Sequence, residues 1–309
     1  VLKRRLISAA IIVSIMVVLL WLDHYLGRKE VWGMPGLVLA LVTTLTAVMA
    51  TSELVRMWRA AGCERLSYVV SVGGTLLVCG GAFLPLFWPG ALERWPFLGV
   101  FGGTLLGLFA ALVAAAGHEM WWFDKPGSEI ERLARQVFSF TYLGMVISMV
   151  APHRLMIGMG PAEQLVNGNG ICSVLAVIVT VKMSDTFAYM FGKIWGRRKL
   201  APLLSPNKTI EGAAGSFVGA IVGAAVVFYL VAWFVGDDYF YKPFWWILIY
   251  GVVVALAGMM GDLTESLVKR DAQCKDSSGW LAGLGGILDI MDSLIFAAPA
   301  SYLVWLLLG

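Results

Sequence analysis

The stretch FWWILIYGVVVALAGMMG, from Phe244 to Gly261, runs without a charge into Asp262-Leu263-Thr264-Glu265-Ser266. As a helix it is long enough to cross a hydrocarbon core of roughly 30 Å. Its apolar residues are continuous rather than alternating, which selects a helix over a barrel strand. In lipid a helix satisfies its own backbone, so such a run is stable where an open strand is not.

The same pattern recurs along the chain. Nine spans are predicted, at about 6–22, 35–55, 68–88, 97–117, 136–153, 171–192, 213–235, 244–261 and 287–308, each end placed to within roughly 2–4 residues. The composition agrees: 59% of the 309 residues are hydrophobic, 14% are charged, and the mean hydropathy is +0.81. The expected fold is an all-α, polytopic integral membrane helical bundle. The first span follows Lys3, Arg4 and Arg5, and Trp21-Leu22-Asp23-His24 offers no small-residue cleavage site. It therefore reads as a retained anchor rather than a signal peptide.

Basic loop residues set the orientation. Placing the N-terminus in the cytoplasm puts Lys3 to Arg5, Arg56, Arg59, Arg65, Lys125, Arg132, Arg135, the 193–208 cations and Lys269, Arg270 and Lys275 inside. Arg28, Lys29, Arg94, Arg154 and Lys242 fall outside, and the C-terminus emerges there. The basic residues form no aromatic-interleaved stripe, which argues against a nucleic-acid partner. Cys63, Cys79, Cys172 and Cys274 lack CxxC spacing, so they read as apolar fillers or free thiols. Two regions are expected: 1–158 with about five helices, and 171–309 with about four. Dense polar motifs flank only the second.

Four clusters carry that polarity. Lys182 and Asp185 lie three apart within the sixth span and can neutralise each other on one helix face. The inside loop Gly192–Gly212 holds Ser205, Asn207 and Lys208 ahead of a helix start, donors suited to a polyphosphate. It contains no Walker A pattern. Asp262 and Glu265 follow the eighth span one turn apart, with Ser266, Lys269, Arg270, Lys275 and Asp276 beyond. Last, Gly285-Gly286 precedes Asp289 and Asp292, three apart at the head of the ninth helix. Capping of a helix N-terminus accounts for one of these acids, not both. Two carboxylates there call for a cation, and hard oxygen ligands beside a polyphosphate favour Mg²⁺.

SDTFAYMFGK at 184–193, LAPLLSPNKTIEG at 200–212 and GDLTESLVKRDAQCKDSSGWLAGLGGILDIMDS at 261–293 together resemble the phosphatidate cytidylyltransferase (CDP-diacylglycerol synthase) family. Ser266, Lys269, Arg270, Lys275, Asp276, Gly285, Gly286, Asp289 and Asp292 all occupy positions of its signature. Ala282, Leu284 and Ile290 depart from it, the last two standing where the family has His and Arg. The resemblance implies transfer of CMP from CTP to phosphatidic acid, giving CDP-diacylglycerol and pyrophosphate in phospholipid biosynthesis.

It also implies roles for single residues. Asp262, Asp289 and Asp292 would hold Mg²⁺, one ion or two, with Lys275 and Asp276 in the catalytic set. Asp185, Ser205, Asn207, Lys208, Ser266, Lys269, Arg270, Gly285 and Gly286 would bind substrate. The expected setting is a bacterial cytoplasmic (inner) membrane among membrane lipids, as a homodimer, with the active site facing the cytoplasm. The alternatives are a CTP-dependent lipid kinase, a non-catalytic lipid-binding paralogue and, less well matched, a transporter. A CDP-alcohol phosphotransferase would need a DGxxAR run ahead of Asp289, which the sequence lacks.

Overall fold

The computed structural model describes residues 18–23, 25–26, 36–84, 88, 101–124, 126–155, 169–231, 233, 241–275, 277–278 and 285–308. The chain is an all-α membrane protein. Among the described residues seven helices are long and apolar enough to cross a membrane, and an eighth apolar helix is shorter. The helices are α1 Leu37–Ala60, α2 Tyr68–Ala82, α3 Gly102–Trp121, α4 Glu129–Arg154, α5 Asn169–Trp195, α6 Ile210–Ala225, α7 Phe244–Asp271 and α8 Ile287–Leu308. Most of the predicted first span lies outside the described residues.

Helix borders depart from the apolar runs for a physical reason. Helix α7 continues past Gly261 to Asp271, because its last turns bury Glu265 and Val268 rather than ending at the apolar limit. Helix α4 begins at Glu129 rather than near residue 136, since its charged first turns are held by side-chain partners. The expected loop Gly192–Gly212 contains an antiparallel hairpin, β1 Lys199–Ala201 with β2 Ser205–Thr209, Lys199 facing Thr209 and Ala201 facing Ser205. The Thr209 hydroxyl accepts from Gly212 N and caps α6, and the Glu211 carboxylate accepts from the Arg197 and Arg198 amides.

The chain divides into two compact units, Val1–Leu155 with Asp271–Ile290 and Met156–Arg270 with Met291–Gly309. The sequence reading drew its boundary between residues 158 and 171; Asp271–Ile290 groups with the N-terminal helices.

In the first unit, buried polar groups tie the helices together. The Asp23 carboxylate, 2% exposed, pairs with Arg154 at 2.7 Å and accepts from the Val38 and Leu39 amides at the start of α1. Glu119 on α3 accepts from Arg132 Nε at 3.0 Å and Gln136 Nε2 at 2.9 Å on α4. Thr51 and Thr75 share a hydrogen bond between α1 and α2.

In the second unit, glycines at four-residue spacing bring α5 and α6 close. A Cβ at Gly215, Gly219 or Gly223 would press on Phe191, Phe187 and Met183 respectively. That small-residue face, one that could have served dimerisation, is filled by α5 of the same chain. Helices α7 and α8 are locked at one end by Tyr250 Oη to Ser301 Oγ at 2.9 Å and Trp246 Nε1 to the Leu308 carbonyl at 3.1 Å. Phe228 and Trp305 pack edge-on against Trp246 there. Further along, a Cβ on Gly261 would collide with the Asp292 carbonyl, so glycine permits the close approach that brings the two motif-bearing segments together.

Candidate functional site

That close approach sets up the charged centre of the second unit. Asp262 and Glu265 project from one face of α7, and Asp292 comes from the first turns of α8. One carboxylate oxygen from each lies within 4.8 Å of the other two. At such spacing and an effective dielectric of about 20, each ionised pair repels by about 4 kcal/mol. Lys208 offsets part of this through a 2.5 Å pair with Asp262, and Lys269 through a 2.8 Å pair with Glu265. Among the described residues Asp292 has no ion pair; it accepts from Ser293 N at 2.6 Å and Ser293 Oγ at 3.2 Å.

Asp185 stands beside this group. It pairs with Lys182 at 3.4 Å, and its other oxygen lies 3.4 Å from Ser293 Oγ. Both members of that pair remain half-exposed, so the pair is not sealed in a core. Four acids and three lysines therefore converge on α5, β2, α7 and α8. The acids supply hard oxygen donors, and among the described residues one carboxylate, that of Asp292, has no counter-cation, a set that fits Mg²⁺.

The hairpin contributes Lys208 from β2, with Ser205 half-buried and Asn207 exposed on the same strand. Ser266 is half-buried on α7, and Arg270 is exposed, its Nε donating to the Leu204 carbonyl at 3.4 Å. Lys275 is exposed in the first unit. Asp276 and Leu284 lie outside the described residues.

Asp289 has a different environment, in the first unit. Its Oδ2 accepts from Gly286 N at 2.6 Å, Ser277 Oγ at 2.6 Å and Ser277 N at 3.2 Å. It occupies the third position of α8 and reaches back to the residue before the helix, half of a capping box. Gly285 supplies the positive φ of 83° that this turn requires. A Cβ on Gly286 would strike Ser277 Oγ and the Glu53 carboxyl. The sequence assigns Asp262, Asp289 and Asp292 to the metal; among the described residues, one oxygen each from Asp262, Glu265 and Asp292 lie within 4.8 Å of one another.

Two residues escaped the sequence-derived set. Glu265 is not among the ligands that the motifs assign, although its i, i+3 spacing from Asp262 puts both on one face. Glu53 lies inside the predicted span 35–55 and outside every motif, where an acid in a membrane helix is itself a signal.

A family model described as "Cytidylyltransferase family" matches residues 3–308. The phosphatidate cytidylyltransferase of Chlamydia trachomatis serovar D is 41% identical over 139 residues, 45% of this chain and 44% of that protein. That of Bacillus subtilis (strain 168) is 41% identical over 133 residues, 43% of this chain and 47% of that protein. In these two the matched stretch spans less than half of the relative's length. The phosphatidate cytidylyltransferase of Chlamydia pneumoniae is 28% identical over 309 residues, 98% of this chain and 92% of that protein.

Proposed function

The chain belongs to the cytidylyltransferase family, and from that premise we propose that it transfers CMP from CTP to phosphatidic acid, releasing pyrophosphate and forming CDP-diacylglycerol. The observation that carries this reading is the meeting of Asp262, Glu265 and Asp292 beside Lys208 and Lys269, on the segments that bear the family-like motifs.

In the proposed reaction a phosphate oxygen of the lipid attacks the α-phosphorus of CTP. The bond from that phosphorus to the bridging oxygen of pyrophosphate breaks, and pyrophosphate carries away the electron pair. A phosphate monoester is already anionic at neutral pH, so no side chain has to act as general base. The protein's work is to align the two phosphates and neutralise charge.

Asp262 and Asp292, with Glu265 beside them, would hold Mg²⁺, which when bound supplies Lewis-acid stabilisation of phosphoryl oxygens. With the carboxylates so engaged, Lys208 and Lys269 become available to phosphate oxygens. Ser205 and Asn207 would donate hydrogen bonds from the hairpin, and Arg270, Lys275 and Ser266 would assist from the segment that follows. Asp185 would keep Lys182 and Ser293 oriented. Asp289, Gly285 and Gly286 would shape the glycine-rich turn ahead of α8.

The protein is an integral membrane protein. We further propose a bacterial inner membrane with the N-terminus and the active site on the cytoplasmic side, where CTP is available and the lipid arrives laterally. A homodimer would have to use a surface other than Gly215, Gly219 and Gly223.

Labelled CTP tests the reaction. Purified protein with phosphatidic acid and Mg²⁺ should place an α-phosphate label in the lipid and release unlabelled pyrophosphate. A γ-label in the lipid would establish the lipid-kinase alternative, and no transfer at all would favour the non-catalytic one.

A further inference from the structure

Glu53 sits on α1, 3% exposed, and its carboxylate is occupied on both oxygens. Oε1 accepts from Ile287 N at 3.1 Å and Ser278 Oγ at 2.9 Å. Oε2 accepts from Leu288 N at 3.0 Å and Ser277 Oγ at 3.2 Å. Ile287 and Leu288 are the first two residues of α8, whose leading amides have no acceptor within the helix. A carboxylate from a distant helix therefore does what a local cap would otherwise do, with the helix dipole in its favour. Charged acceptors make the stronger kind of hydrogen bond.

The same hydroxyl that meets Glu53, Ser277 Oγ, also reaches Asp289 Oδ2 at 2.6 Å. Gly286, whose amide holds Asp289, packs against the Glu53 carboxyl and the Ser277 hydroxyl, so an added Cβ would displace those two groups. The start of α8, the 277–278 segment and Asp289 are thus referred to one buried carboxylate. Helix α8 carries Asp292 one turn further along.

We propose that Glu53 is a positioning residue for cytidylyl transfer, fixing the first turn of α8 and through Ser277 the orientation of Asp289. This rests on the reaction proposed above. It assigns a catalytic consequence to α1, which carries none of the family-like motifs. Glu53→Gln keeps the size but puts an NH₂ group where two donors already point, so it should loosen the turn without emptying the site.

The test reads the turn and the reaction separately on the full chain. Hydrogen exchange of peptides covering 285–290 should be about 10-fold faster in Glu53→Gln, with exchange of residues 295–305 unchanged. In the labelled-CTP assay kcat should fall about 10²-fold, as for a small misplacement of reacting groups, while KM for CTP and for phosphatidic acid stay within about 3-fold. Should Glu53→Gln not fold, Glu53→Asp, which keeps the charge but withdraws it by a methylene, is read in the same way. Unchanged exchange at 285–290 overturns the proposal. So does accelerated exchange with unchanged kcat, or a rate loss that only follows the folded fraction. If the wild-type chain transfers no label, the cytidylyl reading fails, and exchange alone then decides whether Glu53 holds the turn.

Discussion

The two units arrange their acids in opposite ways. In the first, Asp23 is answered by Arg154 and two amides, Glu119 by Arg132 and Gln136, and Glu53 by two hydroxyls and two amides. Each acid there faces donors. In the second, Asp262, Glu265 and Asp292 face one another, with Lys208 and Lys269 covering two of the three. A buried acid surrounded by donors is a brace, and removing either partner costs stability. Acids crowded together carry a repulsion that Lys208 and Lys269 relieve in part and that a bound cation would relieve further.

Substitutions can break this contrast. The largest effect belongs to Asp262→Asn, which should cost activity by about 10³-fold in the labelled-CTP assay, since it removes charge aimed at the reacting phosphates. Its melting temperature should stay close to that of the wild type, because the relieved like-charge repulsion is set against the lost pair with Lys208. Arg154→Met should do the reverse. Leaving Asp23 buried without its partner costs about 3–5 kcal/mol of stability, seen as a large drop in thermal midpoint, while kcat of the folded fraction is retained. Gly261→Ala falls between the two classes. The added methyl meets the Asp292 carbonyl, so about 1–3 kcal/mol of stability and part of the activity should be lost together. The smallest effect is expected of Arg65→Ala, whose 3.2 Å pair with Asp124 is exposed on both sides. An exposed pair contributes about 1 kcal/mol or less, so neither midpoint nor rate should move appreciably.

The contrast was half visible in the sequence. Asp262 followed an uncharged run and had Glu265 one turn on, so their common face could be read from spacing alone. Asp289 and Asp292 looked alike, because both head the same predicted helix. What separates them is where the helix begins: Asp289 is at its third position and turns back to Gly286 N, whereas Asp292 is a turn further in. Capping does explain one of the two acids, and the helix start tells which.

The braces were harder to find because their partners are remote. Glu53 and Ser277 are 224 positions apart, and Arg154 and Asp23 are 131 apart. No periodicity links residues at such distances. The hairpin was hidden for a different reason. Its strands are short, Pro206 lies within the second, and the pairing is defined by backbone contacts that carry no side-chain pattern. A loop was therefore the natural reading of a segment that presents Lys208 on a strand.

We propose that Asp262, Glu265 and Asp292 of the second unit form a divalent-cation site, whereas Glu119 of the first unit is a structural brace. Titrating the purified chain with Mn²⁺ in place of Mg²⁺, and following free ion by electron paramagnetic resonance, addresses it without any turnover. The wild type should deplete free Mn²⁺, Asp292→Asn should lose this binding, and Glu119→Gln should keep it. Binding that survives Asp292→Asn undiminished, or that disappears with Glu119→Gln in a folded protein, would contradict it.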